Sequence, residues 1–196
     1  MVISRGSTWG EPAVVQPHWR VAHKDAQIRG VDPVLLAGGN IWRALGCPTT
    51  HKVGEECLVL PVDTARCVVT MSHGEQVVTA VSEIIIGSWW SRAGCTIISN
   101  SGILEGLNVT PRAHPNDGEW DVLSISAGLG LREKLHARRR ARTGTHIPHP
   151  RLRTSRIGTH AAVRDRRARL MIDGVVVRGW TSVTITVVPD SAHVVV

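Results

Sequence analysis

The stretch AGCTIISNSGILEGLNVTPRAHPNDGEWDVLSIS, residues 93–126, decides the fold class, because two β-branched apolar segments in it flank a long loop. The segments are residues 93–100 and 120–126, and the loop contains Pro111, Pro115 and the turn sequence Asn116-Asp117-Gly118. Val, Ile and Thr favour strands, whereas Pro, Asn, Asp and Gly favour turns. The stretch therefore predicts two strands joined by a long loop.

The same β pattern continues on both sides of this stretch. Strands are predicted upstream and downstream, with tight turns at residues 72–75 and at Asp173-Gly174. The predicted strands are 57–60, 66–71, 76–87, 168–172, 175–177 and 182–188, and the tail 192–196 is expected to pair in a sheet. One principal helix is predicted over residues 129–143, with Leu131 and Leu135 sharing one face and arginines covering the others.

Residues 1–56 have a different pattern. A short buried strand is predicted at residues 33–37, and Asn40 begins a turn of helix. The chain is therefore expected to be mainly β (α+β), with a small α/β fragment at residues 1–56 followed by a β-rich domain at residues 57–196. No apolar run is long enough to span a bilayer, and no apolar signal core follows Arg5. A cytoplasmic protein is expected.

Charge is unevenly distributed along the chain. The formal net charge is +7, and residues 132–169 contain 13 Lys and Arg against Glu133 and Asp165, so the remaining residues are net acidic. A basic segment on an acidic body favours an anionic partner, such as a membrane surface, a phosphorylated ligand or a nucleic acid. The alternative is an arginine-rich helix face that only contacts solvent.

Several motifs in the right order carry a resemblance to a known family. They are Ile97-Ile98-Ser99-Asn100, the glycine-containing loop 101–107, Thr110-Pro111-Arg112-Ala113, Asn116-Asp117-Gly118, the segment 144–150 with its His-Pro pair, and Ile172-Asp173-Gly174. Together they resemble the second domain of diacylglycerol kinases, sphingosine kinases and bacterial lipid kinases, in the NAD kinase–diacylglycerol kinase-like superfamily. The resemblance covers roughly residues 60–196 and implies a β-sandwich-like domain, preceded by an α/β remnant of the nucleotide-binding half.

Upstream, the segment 38–46 resembles the junction between the two domains of these kinases. The resemblance implies that Gly38, Gly39 and Asn40 contact a cofactor, although Gly39 stands where the family has Asn and Asn40 where it has Asp. A Gly-Gly-Asp-Gly-Thr phosphate loop precedes this junction in the family, but none lies in the 37 residues before Gly38. Each βαβ unit of a nucleotide site takes roughly 30 residues or more. We therefore expect a truncated nucleotide-binding half, and we do not expect this chain to bind ATP by itself.

The resemblance also implies roles for individual residues. Asp173 matches the general base that faces the acceptor hydroxyl, and Asp117 matches a ligand of a structural Mg²⁺, with the carbonyl groups of His114 and Glu119 as helpers. The alternative for both aspartates is a structural role in a turn. An apolar cleft for an acyl chain is implied at Ile84, Ile85, Ile86, Trp89, Trp90, Leu104 and Leu107.

Three functions follow. The first is a non-catalytic or partner-dependent relative of lipid kinases that binds a lipid or an amphipathic phosphorylated ligand, peripheral to an anionic membrane. The second is an active kinase, dependent on ATP and Mg²⁺, with a reduced nucleotide site or one supplied by another chain, either a second copy or a separate partner. The third is a nucleic-acid-binding module built on Arg138-Arg139-Arg140 and residues 164–169. The aromatic residues are not interleaved with these arginines as single-strand stacking would require.

Overall fold

The computed structural model describes residues 9–163 and 168–196, so most of the predicted nucleic-acid-binding segment 164–169 lies outside the described residues. Fifteen strands and two α-helices are named here in chain order. They are β1 (Glu11–Val14), β2 (Arg20–Ala22), β3 (Val34–Leu36), α1 (Gly39–Ala44), β4 (Glu56–Met71), β5 (Gly74–Ala80), β6 (Glu83–Gly87), β7 (Cys95–Ser99), β8 (Ile103–Leu104), β9 (Leu107–Asn108), β10 (Trp120–Ile125), α2 (Leu131–Ala141), β11 (Leu152–Ile157), β12 (Thr159–Val163), β13 (Leu170–Ile172), β14 (Val175–Val177) and β15 (Trp180–Val195).

Two strands of 16 residues, β4 and β15, run antiparallel along nearly the whole first sheet. At one end they are flanked by β1 on the β4 side and by β3 and β2 on the β15 side; at the other end β5 and β12 flank them. The register shifts between Val188 and Ala192, where Asp190 has a φ of 52°. Two predicted strands at 57–60 and 66–71 are thus one strand, because Pro61 pairs opposite His193 without ending it.

The second sheet has the order β11-β10-β7-β6-β13-β14 and packs against the β5-β4-β15-β12 end of the first. One strand was predicted over residues 76–87, but the chain bends at Val81-Ser82 and leaves the first sheet for the second. Residues of the second sheet alternate as a sheet with two buried faces requires. Ile84, Ile98 and Val122 enter the core between the sheets. The prediction of a mainly β, sandwich-like domain with one principal helix is confirmed.

Helix α2 covers the other face of the second sheet, where Ile97 and Leu123 lie. The helix buries Ala137, Ala141 and the stem of Lys134. The two small alanine side chains allow the helix to approach the sheet closely. The face formed by Leu131 and Leu135 is turned to solvent, with 66% and 52% of these side chains exposed. An apolar pair at helical spacing therefore does not mark the packed face of this helix.

At the opposite end of the first sheet, a further core joins the sheet to α1 and a 3₁₀ turn at Asp25–Gln27. Its buried members include Ile28, Leu36, Ile41 and Val194. Strands β1 to β3 lie in the same sheet as β4 and β15, and the division of the chain at residues 56 and 57 remains a prediction. Within residues 9–163 and 168–196, no helix is both long and apolar enough to cross a membrane.

Candidate functional site

Asp173, the predicted general base, lies in the turn between β13 and β14 with a φ of 44°, a conformation that aspartate tolerates. Its carboxylate accepts hydrogen bonds from the backbone N–H groups of Val81, Ser82 and Glu83 at 2.9, 2.9 and 3.1 Å. This bend carries the chain from the first sheet to the second. Both carboxylate oxygens of Asp173 therefore hold the crossover between the sheets.

Asp25, which the sequence did not single out, organises the predicted cofactor-binding residues. Its carboxylate accepts the backbone N–H of Asn40 at 2.7 Å, at the start of α1. A Cβ on Gly39 would collide with this carboxylate, and a Cβ on Gly38 would collide with the carbonyl group of His23. The glycine pair is thus required by the close approach of the chain's own groups.

The side chain of Asn40 connects the start of α1, which Asp25 holds, to the bend that Asp173 holds. Its Nδ2 donates to Oε2 of Glu83 at 2.9 Å, and its Oδ1 accepts the backbone N–H of Glu105 at 3.0 Å. Glu83 directly follows the bend that Asp173 holds. The structure therefore brings the predicted catalytic residue and the predicted cofactor-binding residue Asn40 into one hydrogen-bonded network, together with Asp25 and Glu83.

Asp25, Glu83 and Asp173 form what we call the carboxyl cluster, and each has a raised pKa. Burial raises the pKa of Glu83 to about 7 and that of Asp173 to about 6, and the charge of Asp25 adds to both shifts. Burial also raises the pKa of Asp25, against the backbone hydrogen bonds that lower it. The hydrogen bonds to Asp173 offset part of its shift. Of the three, Glu83 therefore has the pKa closest to neutral pH.

An open groove of about 780 Å³ extends from Asp173 between the edge strands β5 and β14. Arg29, Arg66 and Arg178 line it, and Asp173 is the one acidic residue among the described residues that do so. Guanidinium groups bind phosphate through paired N–H donors. No local sequence pattern marks this group, because its arginines lie outside the basic segment 132–169 and far apart in the chain.

The predicted metal-binding loop contains three carboxylates, Asp117, Glu119 and Asp121, which we call the acidic loop. Oδ1 of Asp117 accepts the backbone N–H of Glu119 at 3.2 Å, as expected for a turn. Oδ2 of Asp117 lies 3.5 Å from Nη1 of Arg156, a residue of β11. The same Nη1 lies 3.1 Å from Oε2 of Glu119, and Nε of Arg156 lies 3.7 Å from Oδ1 of Asp121.

The base of this loop is held by buried polar groups. Asp63 accepts the backbone N–H groups of Gly118 at 2.7 Å and Asp190 at 3.0 Å. Burial raises the pKa of Asp121 to about 6, although the nearby Arg156 lowers it. The His114 ring contacts Trp9 with centroids 4.8 Å apart. The side chain of His114 therefore packs against Trp9.

A small apolar cleft of about 170 Å³ lies beside α2. The predicted residues that line it are Ile85, Trp89, Trp90, Leu104 and Leu107. Ile84 and Ile86 belong instead with the core between the sheets. Arg138, Arg169 and Glu105 also line the cleft. Nη2 of Arg138 lies 4.0 Å from Oε2 of Glu105, and the Arg138 guanidinium lies 5.9 Å from the centroid of the Trp90 ring, as in a cation–π contact.

Comparison with known proteins identifies the domain. Residues 62–196 match the family described as the YegS C-terminal NAD kinase beta sandwich-like domain. The chain belongs to this family. No match to a curated protein was found.

Solved structures similar to this YegS-type chain include two diacylglycerol kinase structures from Bacillus anthracis str. Sterne, the first of them described as a candidate kinase. The first has 11% identity and a TM-score of 0.49, over 86% of this chain and 71% of the other. The second has 12% identity and a TM-score of 0.46, over 86% and 68%. Yeast NADH kinase in complex with NADH has 8% identity and a TM-score of 0.44, over 71% and 44%.

The acidic loop of this YegS-type domain fits the implied Mg²⁺ poorly. Within the described ranges, no group of three or more His, Cys, Asp and Glu side chains is arranged to hold a metal ion. Asp117 already faces a backbone N–H through one oxygen and Arg156 through the other. Mg²⁺ requires several oxygen ligands at about 2.0–2.1 Å in octahedral geometry. The roles of Asp117, His114 and Glu119 as metal ligands remain predictions.

The residues implied for nucleotide binding fit a phosphate poorly as well. The carboxylate of Asp25 takes the N–H group at the start of α1, and its negative charge would repel a phosphate there. α1 has six residues, too few to provide a strong helix dipole. The assignment of Gly38, Gly39 and Asn40 to a cofactor therefore stays a prediction.

Proposed function

We propose that this protein is a non-catalytic or partner-dependent member of its family that binds an anionic lipid. The observation that carries the proposal is the cleft beside Trp89 and Trp90, which combines apolar walls with Arg138 and Arg169. Apolar walls suit an acyl chain, and guanidinium groups suit a phosphate. The cleft is smaller than the ~300–1,000 Å³ of typical small-molecule pockets. It would therefore take one end of an acyl chain while the rest of the lipid stays in the bilayer.

The outward face of α2 supports access to this cleft from a membrane. Leu131, Leu135 and Arg138 follow one another at spacings of four and three residues, which places them in one stripe on a helix. Arg138 in turn contacts Trp90, which is half exposed. Exposed arginines border the stripe at Arg132, Arg139, Arg140 and Arg142. Apolar side chains among arginines are typical of helices that lie on anionic bilayers.

The carboxyl cluster supports the non-catalytic part of the proposal. A general base must have an oxygen within hydrogen-bond reach of the acceptor hydroxyl. Both oxygens of Asp173 accept backbone N–H groups in this fold. Three backbone N–H groups take up most of the roughly four acceptor sites of this carboxylate. The main role of Asp173 in this proposal is therefore to hold the bend at Val81-Ser82.

Vesicle co-sedimentation tests the membrane part of the proposal. We expect strong binding to vesicles of phosphatidylcholine mixed with phosphatidylglycerol, and weak binding to phosphatidylcholine alone. The double variant Leu131→Ser/Leu135→Ser should lose about tenfold or more in affinity, because two leucines no longer enter the bilayer. Leu58→Ser, at an exposed leucine of β4, is the matched control and should bind like the parent. Equal binding to neutral and anionic vesicles at low salt would remove the idea.

The cleft is tested separately with a soluble lipid. Calorimetric titration with a short-chain phosphatidic acid below its micelle concentration should show weak saturable binding. Replacing Arg138 and Arg169 together by Gln should abolish this binding, whereas Arg139→Gln, on the same helix, should not change it. Binding that survives the double replacement would place the lipid elsewhere.

A kinase completed by a partner chain is the second candidate, because the arginine-lined groove opens beside Asp173. Such an enzyme would consume ATP with Mg²⁺ and diacylglycerol when a nucleotide-binding partner is present, and Asp173→Asn would abolish the turnover. Absence of ATP binding at millimolar concentration, with and without candidate partners, would rule this function out. A gel shift with single-stranded DNA that weakens steeply with salt would instead support the nucleic-acid alternative.

A further inference from the structure

The pairing of β10 with β11 places one arginine opposite the acidic loop. In this antiparallel ladder, Asp121 and Arg156 are direct cross-strand partners. Side chains of directly opposed residues lie on the same face of a sheet, and the residue two positions away is a diagonal neighbour. Glu119 stands two positions before Asp121, so one guanidinium reaches both carboxylates. The observed distances, 3.1 Å to Glu119 and 3.7 Å to Asp121, follow from this register.

The turn that precedes β10 brings a third carboxylate to the same guanidinium. Asp117 lies 3.5 Å from Arg156, and Nη2 of Arg156 donates to the carbonyl group of Arg112 at 3.4 Å. The arginine thus contacts both the beginning and the end of the segment 112–121. Three carboxylates so close together repel one another unless a positive charge lies between them.

We propose that Arg156 is the cation that holds the acidic loop, and that its guanidinium takes the place where the family resemblance implies Mg²⁺. The acidic loop then keeps its fold without a metal ion, because the side chain of Arg156, on the neighbouring strand β11, supplies the positive charge. A divalent cation at the implied site and this guanidinium would compete for the carboxylate of Asp117. Removing the guanidinium should therefore make the loop dependent on Mg²⁺.

Thermal unfolding in EDTA and in millimolar MgCl₂ tests the proposal. The parent protein should unfold at the same temperature in both buffers, within about 1 °C. In EDTA, Arg156→Gln should lower the Tm by about 3–6 °C, as expected for the loss of a partly exposed charge network in a chain of this size. Adding MgCl₂ should restore at least half of that loss. Arg153→Gln is the matched control, because Arg153 is an exposed arginine of the same strand and makes no ion pair within the described part of the chain.

The lysine variant and the parent protein provide tests that do not depend on the folding of Arg156→Gln, and a titration of the folded glutamine variant adds a third. Arg156→Lys retains the charge but not the fork, so its Tm should lie between those of the parent and the glutamine variant and should not respond to Mg²⁺. Calorimetric titration with MgCl₂ should show no binding to the parent and saturable binding to Arg156→Gln. Stabilisation of the parent by MgCl₂, a glutamine variant as stable as the control, or one indifferent to Mg²⁺ would each overturn the proposal.

Discussion

The carboxyl cluster and the acidic loop contain three carboxylates each, but the fold treats them in opposite ways. Asp25 and Asp173 of the cluster accept backbone N–H groups, and Glu83 accepts the amide of Asn40. In the loop, all three carboxylates face the guanidinium of Arg156. Asp25 and Glu83 of the cluster are buried, whereas Asp117 and Glu119 of the loop have 19% and 50% of their side chains exposed.

This difference shows that burial, rather than the number of acidic residues, decides how a group of carboxylates is stabilised. A carboxylate removed from water takes up a proton unless hydrogen bonds or a cation stabilise its charge. Burial raises the pKa of Glu83 to about 7, so the cluster lowers its charge with a proton. Asp121 is an intermediate case, because burial raises its pKa to about 6 although Arg156 is adjacent.

Replacing Asp173 should have the largest effect on stability. Asp173→Ala leaves three backbone N–H groups at the bend without an acceptor and places alanine at a φ of 44°. We expect the free energy of unfolding to fall by about 3–5 kcal/mol, measured by urea denaturation. Asp173→Asn tolerates the backbone conformation and keeps one acceptor, so it should lose less. An alanine variant as stable as the parent would show that Asp173 does not hold the crossover.

The second largest effect should be on the pH dependence of stability, in which the carboxyl cluster should differ from the acidic loop. The folded protein binds a proton at Glu83 more tightly than the unfolded chain, whose glutamates titrate near 4.5. The unfolded state thus loses its proton first, and the free energy of unfolding falls as pH rises from about 4.5 to about 7. Glu83→Gln removes this contribution and can still accept from Asn40.

At pH 8 the Glu83→Gln variant should be about 2–3 kcal/mol more stable than the parent, and at pH 4.5 the two should be nearly equal. Chemical denaturation across this pH range measures the difference. Glu119→Gln is the control, because Glu119 is half exposed. Parallel curves for the parent and Glu83→Gln would show that Glu83 keeps an ordinary pKa in the folded state.

The smallest effect should be the change in stability of the Glu119→Gln variant and its dependence on salt concentration. Glu119→Gln removes one ion pair with Arg156 at a partly exposed site, so we expect a loss of about 0.5 kcal/mol at low ionic strength. The loss should shrink further in about 1 M NaCl, where the Debye length is about 3 Å. The effect of Asp173→Ala should not change with salt, because it rests on backbone hydrogen bonds. Equal salt dependence of the two variants would remove the distinction between the regions.

The local patterns of the sequence predicted the fold where each strand has its own signal. The strands predicted at residues 93–100 and 120–126, the two tight turns and the short strand at 33–37 are confirmed. Three features escaped prediction. Strand β11 is mostly polar and β12 has a weak strand pattern, and both form by pairing with β10 and β15. The crossover at Val81-Ser82 lies between two apolar β-branched segments, and the packed face of α2 is set by the size of its alanines.

The candidate site was predicted only where the resemblance supplied a motif. Asp173 and Asn40 were named in this way, and the fold brings them together through Glu83. Asp25, Glu83 and Arg156 had no signal, because each acquires its partners from a strand or helix distant in sequence. Arg156 could have been found only if the register of β10 and β11 had been known.

The two long strands have a consequence for how the chain can be divided. β4 and β15 contribute buried residues both to the core between the two sheets and to the core around α1. Neither core is therefore built from strands that belong to it alone. A fragment starting at residue 57 would keep β4 and β15 but would lack β1, which pairs with β4, and β3, which pairs with β15. The uncovered edges would then recruit strands from neighbouring molecules, and such a fragment should aggregate.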